Sequence, residues 1–166
     1  FQLPIATRSA PVRYAELART LGIEVGERSS SALVRSSVLR LRSGKGMVLD
    51  AADHDTWSAG SFFTNPLLTP QQAQALPAQA PRFPLGDAAG TVKSSAAWLI
   101  SHAGFERGHG QPGPASLSTK HSLALTNRGN AKAGDIVALA REVRAGVKAA
   151  FGVDLEPEPV LLGLTL

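Results

Sequence analysis

Apolar residues recur every three or four positions along several stretches of the chain, and each recurrence predicts an amphipathic helix. The longest starts near Asp135, carries Ile136, Leu139, Ala140, Val143, Val147 and Phe151 on one stripe, and stops at Gly152. Val12 to Leu21 places Tyr14, Leu17, Ala18 and Leu21 on one face before Gly22. A cap at Ser30 or Ser31 predicts a second helix to about Arg42, with Leu33, Val34, Val38 and Leu41 facing inward. Lys93 to Ala103 reads as another, with Ala96, Leu99, Ile100 and Ala103 sharing a face before Gly104. Thr69-Pro70 is a cap followed by proline at the first helical position, so Gln71 to Leu76 reads as a short helix.

Between these lie extended and irregular segments. Leu117 to Asn127 reads as extended, with Leu123 and Leu125 pointing one way, and Asn127-Arg128-Gly129-Asn130 is a turn signal. Val153–Leu155 and Val160–Leu164 read as short strands, and Phe1-Gln2-Leu3 as the end of another. Residues 43–57 and 105–115 read as loops, and 77–91 as a Pro/Ala/Gly-rich excursion. The expected fold is α+β: a small, mostly antiparallel sheet with helices packed on one face. No repeat occurs. Gly108-His109-Gly110-Gln111-Pro112-Gly113 has the GxGxxG spacing but lies in a Gly/Pro loop that opens no helix, so it is no dinucleotide fingerprint, and Gly44-Lys45-Gly46 lacks the spacing and following Ser/Thr of a P-loop.

Composition narrows the functional classes. The chain has 166 residues, 43% of them hydrophobic and 5% aromatic, so its core rests on Ala, Val and Leu. Without cysteine there is no disulfide, thiolate zinc site or cysteine nucleophile, as expected of a cytoplasmic protein. The net charge of +4 is scattered, with no basic-aromatic interleaving for nucleic acid. No apolar run reaches the roughly 20 residues of a membrane span. His54, His102 and His109 lack the spacing of metal ligands, and no metal is expected. His54-Asp55 ahead of Ser61 has no hydrolase spacing. Trp57 and Trp98 read as packing residues.

Gly60-Ser61-Phe62-Phe63-Thr64-Asn65-Pro66 is the most informative stretch. The glycine permits a bend or close approach, Asn-Pro ends the element, and the serine between them is either an ordinary loop residue or one held at a pocket wall. This stretch and Leu155-Glu156-Pro157-Glu158 resemble signatures of the UDP-N-acetylenolpyruvoylglucosamine reductase family. The resemblance extends through Lys93–Ile100, Leu117–Leu125, Asn127–Ala131 and Phe151-Gly152-Val153, in order.

The resemblance implies the C-terminal part of a bacterial enzyme of cell-wall precursor synthesis. In that family NADPH reduces FAD, and hydride then passes to UDP-N-acetylglucosamine enolpyruvate, giving UDP-N-acetylmuramate. It implies Ser61 as proton donor and Glu158 as stabiliser of the enolate-like charge, with Glu156 solvated. It also implies Lys45 at the substrate diphosphate, Asn65 as a substrate-binding amide, and His121 where some relatives carry a substrate-contacting glutamine. Read as residues alone, Lys45 is more commonly a solvated loop lysine and Glu158 a surface charge, while Asn65 is a turn asparagine that can hold both roles together. Thr64, where lysine is common, and Pro159 depart from the family pattern. Residues 1–10 are expected to be the end of a preceding FAD-binding region and 11–166 the substrate-binding domain. FAD would be held mainly by N-terminal domains outside this sequence. The expected partners are the substrate and those domains, with neither nucleic acid nor membrane. An alternative is a UDP-sugar-binding fragment without activity of its own.

Overall fold

The computed structural model describes residues 5–166, so the expected strand end at Phe1-Gln2-Leu3 lies outside the described residues. The chain forms two compact units, the first closing at Leu49 and the second running from Asp50 to Leu166.

In the first unit, α1 (Ala15–Leu21) and α2 (Ser31–Gly44) pack against each other. Gly22 ends α1 in the left-handed region, φ 68°, where its N–H reaches the carbonyls of Ala18 and Arg19. The Ser30 hydroxyl caps α2 by accepting from Leu33 N–H. Two inward assignments are corrected: Tyr14 is 78% exposed and Leu33 50% exposed. Tyr14 sits in the extended cap position before α1, so it lies off the helical stripe. The buried contacts come instead from Val12, Ala18 and Ser37.

The second unit is built on antiparallel pairing. β1 (Ser58–Ser61), β6 (Ala124–Asn127) and β5 (Ala115–Leu117) form one sheet in the order β1-β6-β5. β2 (Leu67–Leu68), β4 (Val92–Lys93) and β3 (Phe83–Pro84) form another in the order β2-β4-β3. α5 (Ala133–Phe151) lies on β5 and β6, and α4 (Ala96–His102) packs on α5. The α5 stripe buries Leu139, Ala140, Val143 and Val147 against Leu99, Ile100, Leu117 and Phe63 in one core cluster. α3 (Pro70–Ala75) carries the expected proline start and a reciprocal cap between Thr69 and Gln72. The fold is thus α+β, with small antiparallel sheets and, among the described residues, five α-helices.

Four local expectations are corrected. Leu117–Asn127 is a hairpin, β5 turning into β6, rather than one extended run. α4 begins at Ala96 behind a Ser95 cap, which leaves Lys93 in β4. The 77–91 excursion contains β3 and is pinned by Arg82, whose guanidinium donates to the carbonyls of Ala73, Leu76, Pro77, Ala78 and Ala80. Val153–Leu155 and Val160–Leu164 are not strands: Val153 and Leu155 are buried, but Val160 and Leu162 are 84% and 86% exposed. Pro157 and Pro159 remove every second backbone donor, so this segment makes only an isolated bridge, Phe63 to Pro157.

Candidate functional site

Ser61 ends β1 at a built irregularity. Ser58 pairs with Thr126 and Ser61 with Ala124, so β1 holds one residue more than β6 over the same span. That is a β-bulge, and Gly60 supplies the conformation it needs, φ 88°. A Cβ at Gly60 would meet nothing within 4 Å, so the glycine serves the backbone turn rather than a tight contact. The bulge re-aims Ser61, which is half-buried. Its hydroxyl makes no hydrogen bond among the described residues.

One residue later the chain changes partner. Phe62 N–H donates to Leu123 O at 2.7 Å, while Phe62 O accepts from Glu158 N–H at 2.8 Å. Thr64 N–H continues to Glu156 O at 3.0 Å. The Ser61 and Glu158 segments are therefore neighbours, anchored by the buried rings of Phe62 and Phe63. The Glu158 side chain is exposed.

His121 stands in the β5–β6 turn. Leu123 N–H donates to its Nδ1 at 3.1 Å, which leaves the ring proton of the neutral imidazole on Nε2. Its carbonyl accepts from the N–H of Ala124, the residue paired with Ser61. The Ser118 hydroxyl shapes the turn by accepting from Lys120 N–H and His121 N–H.

Asn65 combines a structural and an open end. Its Oδ1 accepts from Ala96 N–H at 2.9 Å at the start of α4, and its Nδ2 has no protein acceptor among the described residues. It faces a cavity of about 570 Å³ that Thr64, Gln72, Asp154 and Glu156 also line. Asp154 is held below the ordinary carboxylate value by Lys148, at 2.7 Å. Lys45 belongs to the first unit, capping α2 at its C-terminal end, and its ammonium pairs with Glu16 at 2.8 Å.

A further centre, not among the candidate residues, is Asp55. It is 4% exposed in the 3₁₀ turn His54–Thr56. Its carboxylate accepts from Thr119 N–H at 3.0 Å, from the Thr119 hydroxyl and from Arg128 Nη1 at 2.9 Å. Burial pushes the Asp55 carboxyl up, but the Thr119 and Arg128 donors outweigh it and hold it below its ordinary value. Asp53 is lowered by its bond from Lys120 and then by Asp55 N–H, and Lys120 is correspondingly raised. His54 does not touch this carboxylate: it meets Trp57 edge-on at 4.5 Å. In the sequence His54-Asp55 reads as a loop pair. Only the acceptor-rich Asp53-x-Asp55 opposite Thr119-Lys120 could have signalled the contact, and 64 residues separate them. Among the described residues no helix is long and apolar enough to cross a membrane.

Residues 51–162 match the family described as UDP-N-acetylenolpyruvoylglucosamine reductase, C-terminal domain. Among curated proteins, the UDP-N-acetylenolpyruvoylglucosamine reductase of Cutibacterium acnes is 58% identical over 167 residues, covering 99% of this chain and 43% of the relative. Those of Saccharopolyspora erythraea and Mycobacterium sp. are 58% and 54% identical, each covering 100% of this chain and 48% of its own length. The chain spans less than half the length of these relatives. With the family match running through the Ser61 bulge and the Glu158 segment, the chain belongs to the UDP-N-acetylenolpyruvoylglucosamine reductase family.

Proposed function

We propose that this chain is the substrate-binding side of a flavin-dependent reductase, acting on UDP-N-acetylglucosamine enolpyruvate in peptidoglycan precursor synthesis in the cytoplasm. Residues 11–166 form that side, and 1–10 are the end of the FAD-binding region. The observation that carries the reading is the pairing of the bulged Ser61 strand with the Glu158 segment, through the backbone bonds Glu158 N–H to Phe62 O and Thr64 N–H to Glu156 O.

The residues present fit a flavin as an approach face rather than as its binding site. The space beside Gly60 lets a planar ring come against the substrate at Ser61, and no phosphate-cradling loop occurs in the sequence. When bound, FAD reduced by NADPH supplies hydride to the terminal carbon of the enolpyruvyl group. Ser61, with its hydroxyl uncommitted, donates the proton to the adjacent carbon. Glu158, carried on the neighbouring segment, offsets the charge that develops beside the substrate carboxylate when it is protonated or paired with a cation. His121 Nε2–H and Asn65 Nδ2 donate to substrate oxygens, and Lys45 supplies a point charge for the diphosphate.

The test is Ser61→Ala in the full-length protein. Substrate reduction should slow at least ~100-fold, the low end for loss of a general acid, while flavin reduction by NADPH stays at its wild-type rate. Equal slowing of both steps, or of neither, overturns the assignment. The 166-residue chain alone is expected to bind FAD weakly or not at all and not to oxidise NADPH.

A further inference from the structure

We propose that Asp55 and Asp53 are positioning residues that set the orientation of His121 and the register of the Ser61 strand through the β5–β6 turn. The inference rests on the substrate-side reading above.

The two carboxylates grip consecutive residues of one turn. Asp55 takes both the backbone N–H and the hydroxyl of Thr119, and Asp53 takes the Lys120 ammonium. Asp53 also receives Asp55 N–H at 3.0 Å, so the pair is one rigid acceptor surface. From the gripped residues a continuous line of hydrogen bonds leads to the site. Ser118 Oγ accepts from Lys120 N–H and His121 N–H. His121 Nδ1 accepts from Leu123 N–H, and Leu123 O accepts from Phe62 N–H, next to Ser61.

Burial makes the grip stiff. A carboxylate that is 4% exposed and holds three donors has no water to exchange them with. Arg128, which bonds both Asp55 and Thr126 Oγ1, fastens the same carboxylate to β6. Besides the pair with Arg128, the two carboxylates bond Thr119 and Lys120, and both bonds lead to the turn that carries His121.

The deciding variant is Thr119→Val in the full-length enzyme, because it keeps the Asp55–Arg128 pair and the size of the side chain. Thr119→Ser restores the hydroxyl and serves as the rescue. Two readouts are taken: the substrate KM against kcat, and the ring 15N shifts of His121 in histidine-labelled protein. Wild type should show a protonated Nε2 and bare Nδ1. Thr119→Val should give mixed tautomers and a KM raised at least ~5-fold with a smaller change in kcat, and Thr119→Ser should return both to wild type. Asp53→Asn should act in the same direction. Wild-type tautomer and KM in Thr119→Val overturn the positioning role. So does a loss in Thr119→Val that Thr119→Ser fails to rescue. If Ser61→Ala leaves substrate reduction untouched, the substrate-side reading fails instead, and the tautomer readout still decides what Asp55 does to His121.

Discussion

Glu158 N–H donates to Phe62 O at 2.8 Å, which sets Glu158 across the chain from the residue that follows Ser61. Because this contact is made by backbone atoms, the Glu158 side chain can be changed without losing it. Glu158→Gln is therefore expected to leave the melting temperature unchanged and to slow substrate reduction by at least ~100-fold, the usual loss when a stabiliser of developing charge is removed. Stopped-flow measurement of the substrate step checks this. A wild-type rate would return Glu158 to the class of surface charges.

If Lys45 binds the diphosphate as proposed, it gives up its pair with Glu16 to do so. Both partners are about half exposed, and such a surface pair contributes about 0–1 kcal/mol, whereas a charge-assisted bond to phosphate contributes about 1.5–3 kcal/mol. The exchange therefore favours the ligand. Lys45→Ala should weaken substrate binding by about 1.5–3 kcal/mol, and Glu16→Gln should leave it equal or slightly tighter. Isothermal titration with substrate or UDP separates the two. Weaker binding in Glu16→Gln would argue that the pair itself shapes the site.

Asp55 gives the protein an acid-sensitive lock. Its folded-state value is depressed, so its contribution is fully present above the unfolded value of about 3.9 and fades as pH falls through the lower folded value. Asp55→Ala should cost about 3 kcal/mol at neutral pH, the low end for stranding a buried partner, because Arg128 keeps some contact with water. The gap between wild type and variant should shrink below about pH 4. Urea unfolding across that range measures it, and a pH-independent gap would contradict the ionised lock.

Arg82 staples the end of α3 to the excursion that follows, through five backbone carbonyls. A lysine cannot reproduce the planar fork. Arg82→Lys should destabilise the second unit by about 2 kcal/mol, with faster amide exchange concentrated between Ala73 and Leu85. Uniform exchange through the unit would mean that the staple is not local.

Long periodic segments were the readable part of the fold. The α5 stripe and the Thr69-Pro70 start hold, because both depend on spacing within one element. The β5–β6 hairpin was hidden because its turn, Ser118 to Leu123, contains no glycine, proline or asparagine, and side-chain oxygens do their work instead. Tyr14 lies off the stripe because α1 starts at Ala15, three residues after the expected Val12, which leaves Tyr14 in the extended cap position. The Ser61 and Glu158 segments could be singled out by family likeness. The Asp55 centre could not, since its partners lie 64 and 73 residues away and each is an ordinary polar residue in isolation.

The change of partner at Phe62 also sets an order of assembly. β1 finds β6 and then the 156–158 segment, the latter through contacts spanning 92 residues at Thr64 and Glu156. Closing so long a loop is entropically costly until α5 has docked and shortened the path between its ends. On loop-closure grounds the hairpin and α5 are expected to form before the Ser61–Glu158 neighbourhood closes. A chain paused before that closure would hold a native helix and sheet with its chemistry still in two halves.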